Sequence, residues 1–282
     1  MKKTLLALLT CLAMVFAFTA CGGSEEEAAT DESTEVIVFA AASMQSSLEE
    51  LEASFEAENP GIDVILNCDS SGTLQEQIME GAPCDIFFSA AQKNMDALEE
   101  EGLVVEGTRS NVLNNQLVVI TQPDSKTAVT GIENLGDAES IALADGSVPV
   151  GKYTRRALMN LGVLAEVEDP AVYTTQEVSD ALGGVEISEQ GNVSKVLAAV
   201  QEGSSEVGTV YLSDTYGQED TVKILQTVSY DVAGDIIYPI AQIVNQDADD
   251  AENEAAAAVL EYLTNDNAKE VYKTHLFDID VE

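Results

Sequence analysis

Residues Val36–Leu98 read VIVFAAASMQSSLEELEASFEAENPGIDVILNCDSSGTLQEQIMEGAPCDIFFSAAQKNMDAL, three strand-like runs each followed by a helical one. Val36-Ile37-Val38-Phe39-Ala40 is a short apolar β-rich run, as a strand buried on both faces of a parallel sheet requires. Beyond Ser43, the residues Leu48, Leu51 and Phe55 recur at helical spacing, and Asn59-Pro60-Gly61 stops that helix. Ile62–Leu66 is a second strand. Ser70-Ser71-Gly72 then leads into a helix marked by Leu74 and Ile78, which Gly81-Ala82-Pro83 ends. Asp85–Phe88 is the third strand, and Met95 with Leu98 marks the third helix. Short loops and strict alternation indicate an α/β fold with a largely parallel sheet.

Working outward, Leu117–Thr121 opens a second series of the same kind. It continues through Ile141–Ala144, a helix over about 153–161, a helix over 193–200, and the strands Val207–Tyr211 and Val222–Leu225. Ile236–Ala241 returns the chain, and Pro239, which has no N–H to give, places that strand at an edge or crossover. Residues 251–263 and 268–275 read as helical. The organisation expected is a first lobe of residues 36–117 plus 239–282 and a second lobe of residues 118–238.

Ahead of this body, Lys2 and Lys3 precede an apolar run from Leu5 to Phe18, the pattern of a signal peptide over residues 1–20. Phe18-Thr19-Ala20-Cys21 resembles a bacterial lipobox with Phe18 in place of the usual leucine, which implies lipidation of Cys21. Residues 24–35 (SEEEAATDESTE) hold six acids and no large apolar side chain, the composition of a disordered tether. The expected location is extracytoplasmic, on the cell membrane through the lipid alone. Cys68 and Cys84 are left in the body, and their spacing does not decide between free thiols and a disulfide.

The 282 residues carry 12 Lys+Arg against 51 Asp+Glu, a formal charge of −39, with a normal hydrophobic share of 45%. Such a surface cannot build a basic phosphate-tracking face, which excludes nucleic acid. Hydrolytic chemistry lacks its parts. His275 is the only histidine, set in a C-terminal amphipathic helix, and no G-x-S-x-G, Walker A or dinucleotide motif occurs. The chain is read as a non-enzyme without cofactor. What recurs is serine at strand-to-helix junctions: Ser43 after the first strand, Ser70-Ser71 after the second. Each alone reads as an N-cap. Together they lie at the carboxyl ends of neighbouring parallel strands, where open α/β sheets bind ligands and helix N-termini offer unpaired N–H groups to anions.

The motifs FAAAS (Phe39–Ser43), SSGTL (Ser70–Leu74), GAPCDIFFSA (Gly81–Ala90), NNQLVVI (Asn114–Ile120), VPVGKYTRRAL (Val148–Leu158), NVSKVLAAVQEG (Asn192–Gly203) and VGTVY (Val207–Tyr211) follow in order. In that order they resemble the substrate-binding proteins of bacterial molybdate ABC transporters, over Val36–Phe277. The resemblance implies a two-lobed periplasmic-binding-protein fold of type II. It also implies one tetrahedral oxyanion in the cleft, a permease as partner, and a monomer. Carried over residue by residue, it nominates Ser43 and Ser71 in the first lobe and Val150, Val193 and Tyr211 in the second. Gly72 stands where the family usually completes a run of three serines, and Val150 where it commonly has alanine. Val178 competes with Val193, and choosing Val193 leaves residues 166–190 as an insertion.

Molybdate and tungstate are fully deprotonated near neutral pH, so hydroxyl and N–H donors suit every oxygen, whereas a protonated phosphate needs an acceptor that none of the five positions supplies. Sequence does not separate molybdate from tungstate. Sulfate, a non-transport surface lipoprotein, and an Fe(III) binder using Tyr211 and Tyr216 are the rival readings. The two lobes share the contacts, so binding is expected to close a hinge near Leu117 and Pro239. The net charge is expected to slow anion capture, more so at low salt.

Overall fold

A computed structural model describes residues 33–281. The signal segment, Cys21 and most of the tether lie outside the described residues. In chain order the elements are β1 (Thr34–Ala41), α1 (Gln45–Glu58), β2 (Ile62–Asp69), α2 (Ser71–Met79), β3 (Ile86–Phe88), α3 (Gln92–Glu100) and β4 (Ser110–Leu113). Next come β5 (Leu117–Thr121), β6 (Ser140–Ala144), α4 (Pro149–Asn160), α5 (Thr175–Ala181), β7 (Glu186–Gln190), α6 (Val193–Gln201), β8 (Val207–Tyr211) and β9 (Lys223–Thr227). The chain ends with α7 (Tyr230–Ala233), β10 (Tyr238–Gln242), α8 (Asp250–Thr264) and α9 (Asp266–Thr274).

The strands form two five-stranded sheets, ordered β2-β1-β3-β10-β4 and β7-β6-β8-β5-β9. This is a type II periplasmic-binding-protein architecture, and the two orders are the same pattern used twice. In each sheet one strand runs against the rest: β10 is antiparallel to β3 and β4, and β5 is antiparallel to β8 and β9. These are the two strands that receive the chain from the other sheet, so each enters its sheet from the opposite end. The chain leaves the first sheet after Leu113 and re-enters it at Tyr238. Leu117 therefore belongs to the second sheet, paired with Tyr211, and Tyr238 to the first. β1 begins at Thr34, two residues inside the expected tether.

Three points that the sequence left open are decided by the structure. Of the two places that its missing N–H suggested, Pro239 takes the crossover: β10, the strand on which the chain returns, lies fourth of five, and the register shift at Tyr238/Pro239 is the bulge that absorbs the missing donor. Residues 166–190 hold α5 and β7, and β7 pairs parallel to β6 and completes the second sheet at its edge. β7 reads EISEQ, with only Ile187 apolar, so no hydrophobic alternation announced it. Finally, Cys68 and Cys84 are both free, and burial pushes their thiols well above the ordinary range.

The helices fall where their apolar stripes demand. Leu48, Leu51 and Phe55 of α1 are buried, as are Leu74 and Ile78 of α2 against Phe39, Phe87, Met95 and Leu98. α8 lies on β1 and β10, which brings the C-terminal residues back to the first lobe. Among the described residues no helix is long and apolar enough to cross a membrane.

Candidate functional site

Between the two sheets lies a cavity of about 10 Å³, measured as the space open to the centre of a water-sized sphere. Its wall brings together Ser43, Ser71, Val150, Val193 and Tyr211, all five residues nominated from sequence. Ala41, Ala42, Asp69, Ser70, Ala90, Val148 and Pro149 complete it. Space of this order is about that of one water, far below the hundreds of Å³ that organic ligands occupy.

Each nominated residue sits where a strand hands over to the next element. Ser43 occupies the single helical turn Ala42–Met44 directly after β1. Ser71 is the first residue of α2, whose N-cap Ser70 accepts from the Thr73 N–H. Val150 is in the first turn of α4 after Pro149, which has no N–H to leave unpaired there. Val193 opens α6, capped by Asn192, whose side chain accepts from the Lys195 N–H. Tyr211 ends β8. The N-termini of α2, α4 and α6 thus converge on the cavity, presenting free N–H groups and the positive ends of their dipoles. Val178 is buried in α5 and does not line the cavity.

No lysine, arginine or histidine lines the cavity wall. Arg155 is completely buried in the second lobe, where it donates to the carbonyls of Ala144, Gly151 and Tyr173 and to the Thr175 hydroxyl. It therefore braces the loop between β6 and α4 that carries Val150. Gly151 has to be glycine: a Cβ there would lie 2.1 Å from the Asp145 carbonyl oxygen and 2.4 Å from that of Ala144. The close seating of α4 on this loop aims its first N–H groups at the cavity.

The hydroxyls are held in a defined way. Ser71 Oγ accepts from the Ala90 N–H at 2.9 Å, and Ser43 Oγ lies 2.9 Å from the Tyr238 hydroxyl. The Tyr211 hydroxyl is buried with no hydrogen-bond partner among the described residues. Burial holds the phenols of Tyr211 and Tyr238 protonated, far above their ordinary range. Asp214 accepts from the Tyr211 N–H at 2.8 Å, and desolvation pushes its carboxyl up to about 7.

The lobes meet around the cavity. Asn192 Nδ2 donates to Asp69 Oδ1 at 2.8 Å, and the same oxygen accepts from the Ser70 N–H. On the surface beside α3, Lys93 Nζ lies 2.5 Å and Lys152 Nζ 3.0 Å from the Asp169 carboxylate, a clasp joining first lobe to second. These two lysines hold Asp169 well below the usual carboxylate range, against the opposing effect of its burial. Gly72 lies close enough to the second lobe that a Cβ would be 3.1 Å from the Ser147 carbonyl oxygen. The glycine that breaks the serine run is thus the residue that lets the lobes approach. Tyr216 is not in the cavity wall. Its ring lies 4.1 Å from that of His275, which is buried with Nε2 2.9 Å from Glu50. Among the described residues no group of three or more His, Cys, Asp or Glu side chains could hold a metal cation.

Sequence reasoning missed Asp69, Asn115, Tyr238 and Asp214. Asn115 and Tyr238 stand inside recognisable segments, yet nothing local shows that Tyr238 reaches Ser43 or that Asn115 reaches Tyr238. Asp69 directly precedes the serines, and its role emerges only once Asn192 is beside it.

The family model described as "bacterial extracellular solute-binding protein" matches residues 36–278. The molybdate-binding protein ModA of Escherichia coli is 31% identical over 254 residues, covering 86% of this chain and 89% of that protein. A putative ABC transporter substrate-binding lipoprotein of Bacillus subtilis, YvgL, is 29% identical over 258 residues, covering 91% of each. The solved substrate-binding domain of a putative molybdenum ABC transporter from Clostridium difficile superposes with a TM-score of 0.62. It has 31% identity and covers 88% of this chain and 99% of that one.

Proposed function

Because this chain belongs to the bacterial extracellular solute-binding protein family, we propose that it captures molybdate outside the cytoplasm and delivers it to an ABC permease. The observation that carries this reading is the buried Tyr211 hydroxyl, without a partner among the described residues, in the wall of a small cavity that no cationic side chain among them lines. A buried donor without an acceptor costs about 1–3 kcal/mol, and a bound oxyanion supplies the missing acceptor. Helix dipoles and hydroxyls stabilise the dianion without a compensating cation, which is how a strongly acidic protein holds an anion.

Binding and closure are one event in this reading. Ser43 and Ser71 approach the ion from the first lobe, while Tyr211 and the N–H groups at Val150 and Val193 approach from the second. The Asp69–Asn192 bond and the Lys93–Asp169 ion pair form as the lobes meet, with Lys152 already beside Asp169 in the second lobe. Tungstate, with the same charge and shape, is a second ligand of the site. Phosphate, which carries a proton at neutral pH, finds hydroxyl donors, while Asp69 Oδ1 is already committed to Ser70 and Asn192. Lipidation at Cys21 would hold a monomeric body to the membrane by an acidic leash, and the ion is cargo rather than cofactor.

Calorimetric titration of the soluble body, begun near residue 33, tests the function. Molybdate and tungstate are expected to bind one to one, sulfate more weakly and phosphate not at all. Tight binding of phosphate or sulfate with none of molybdate would overturn the reading.

A further inference from the structure

Asn115 lies in the connection between the lobes, where its amide is fixed by its neighbours. Its Oδ1 accepts from the Gln116 N–H at 2.8 Å, so Nδ2 must face the other way, toward Ser213 Oγ at 2.9 Å and the Tyr238 hydroxyl at 3.1 Å. A reversed amide would set two donors against each other at Gln116. The Tyr238 oxygen therefore accepts from Asn115. Tyr238 is completely buried, and Ser43 Oγ is its remaining partner. To leave its single proton unpaired would cost what any buried orphan costs, so Tyr238 donates to Ser43. The Ser43 oxygen is then an acceptor for Tyr238, and its own proton is free to enter the cavity that Ser43 lines.

Ser71 is set in the same way by the Ala90 N–H, a donor that cannot reverse. Tyr211 has no partner among the described residues and so offers its proton as well. Ser43 and Ser71 are thus set as donors by their partners, and the Tyr211 hydroxyl adds a third proton in the same cavity wall.

We propose that Asn115 and Tyr238 are specificity-determining positioning residues: through the relay Asn115→Tyr238→Ser43 they lock the Ser43 hydroxyl as a donor and exclude oxyanions that carry a proton. This rests on the oxyanion-binding reading above and names the residues that enforce its selectivity. A serine free to rotate could accept from a hydrogen phosphate or hydrogen arsenate. A serine already accepting from a buried phenol can turn its second lone pair to such an oxyanion only by pointing its own proton away from the cavity, where it meets no further hydrogen-bond partner among the described residues.

The test is calorimetry near pH 7 with molybdate, sulfate, phosphate and arsenate on wild type, Tyr238→Phe, Ser43→Ala and the double variant. Tyr238→Phe keeps the ring that packs at 5.5 Å on Phe277 and at 6.1 Å on Tyr211. It is expected to weaken molybdate about tenfold, the scale of one misaligned hydrogen bond to an ion. Phosphate and arsenate should weaken less or tighten, so that the preference for molybdate over them falls at least about tenfold. In the Ser43→Ala background the same change should alter molybdate affinity less than about twofold, because the relay acts through Ser43. Asn115→Ala, which frees the phenol without removing it, should shift the preference in the same direction. Equal weakening for every oxyanion, or additive losses in the double variant, would overturn the relay. Should wild type take sulfate and not molybdate, the functional reading falls. The relay is then judged by the same ratio with sulfate, which also lacks a proton.

Discussion

Replacing Tyr211 by phenylalanine should separate binding from stability, and the signs are opposite. The Tyr211 side chain is 2% exposed, its hydroxyl has no partner, and its ring sits edge-on to Tyr238 at 6.1 Å. Phenylalanine keeps the ring and removes only the orphan oxygen. On the binding side, a hydrogen bond to a charged partner contributes about 1.5–3 kcal/mol, so affinity for molybdate should fall roughly 10- to 150-fold. On the stability side, removing a buried unsatisfied hydroxyl recovers part of a 1–3 kcal/mol penalty, discounted because an open cleft lets water reach it. The ligand-free protein should melt at the same temperature or up to about 3 °C higher, given roughly 2–4 °C per kcal/mol at this size. Added ligand should then stabilise less. At a concentration about 1,000 times the wild-type Kd the gain is about 4 kcal/mol, and a 30-fold weaker variant keeps about half of it. The chain has no tryptophan, so dye-based melting and calorimetry are the suitable assays. Undiminished molybdate affinity would refute the site. A ligand-free melting temperature lowered by more than about 5 °C would refute the claim that the hydroxyl is an orphan.

Three other perturbations test separate parts of the argument. Asp169→Asn removes the clasp between Lys93 and Lys152; both pairs are partly solvated, so each contributes at most about 1 kcal/mol, and ligand release should quicken a few-fold with capture unchanged in stopped-flow measurements. Gly151→Ala forces a Cβ into the Asp145 and Ala144 carbonyls, and should cost about 1–3 kcal/mol in thermal melts and abolish molybdate binding in calorimetry. Asp214 keeps its proton to about pH 7 in the folded protein against an ordinary 3.8. Over that window the folded state binds the extra proton, so its contribution to stability is present below about pH 4 and lost as pH rises through about 7. Melting curves of Asp214→Asn should lack that decline relative to wild type, and parallel pH profiles would contradict it.

The first α/β series was legible because its signals are local. Apolar runs of four or five residues, helical spacing of leucines and Asn-Pro-Gly stops are properties of a dozen residues at a time. β4 and β7 were not legible: SNVL is half exposed, and EISEQ is an edge strand with little to bury. The five nominated residues share one cavity wall because each lies at the carboxyl end of a strand or the head of a helix, positions that hydrophobic pattern and turn chemistry already mark. Gly72 looked like the loss of one hydrogen bond, and the structure instead makes it a place where a side chain would crowd the second lobe.

The sequence by itself determined the alternation of strands and helices, and its resemblance to a known family nominated the five residues that share the cavity wall. Only the tertiary structure decided how those residues act. Whether a serine donates or accepts depends on what faces it, and the partner of Ser43 is 195 residues away, itself governed by a residue 123 positions earlier. Asp69 meets Asn192 across the same distance of 123 residues, and Lys93 meets Asp169 across 76. Propensity and periodicity are set within a few residues, whereas hydrogen-bond polarity and lobe closure are set by partners that only folding brings together.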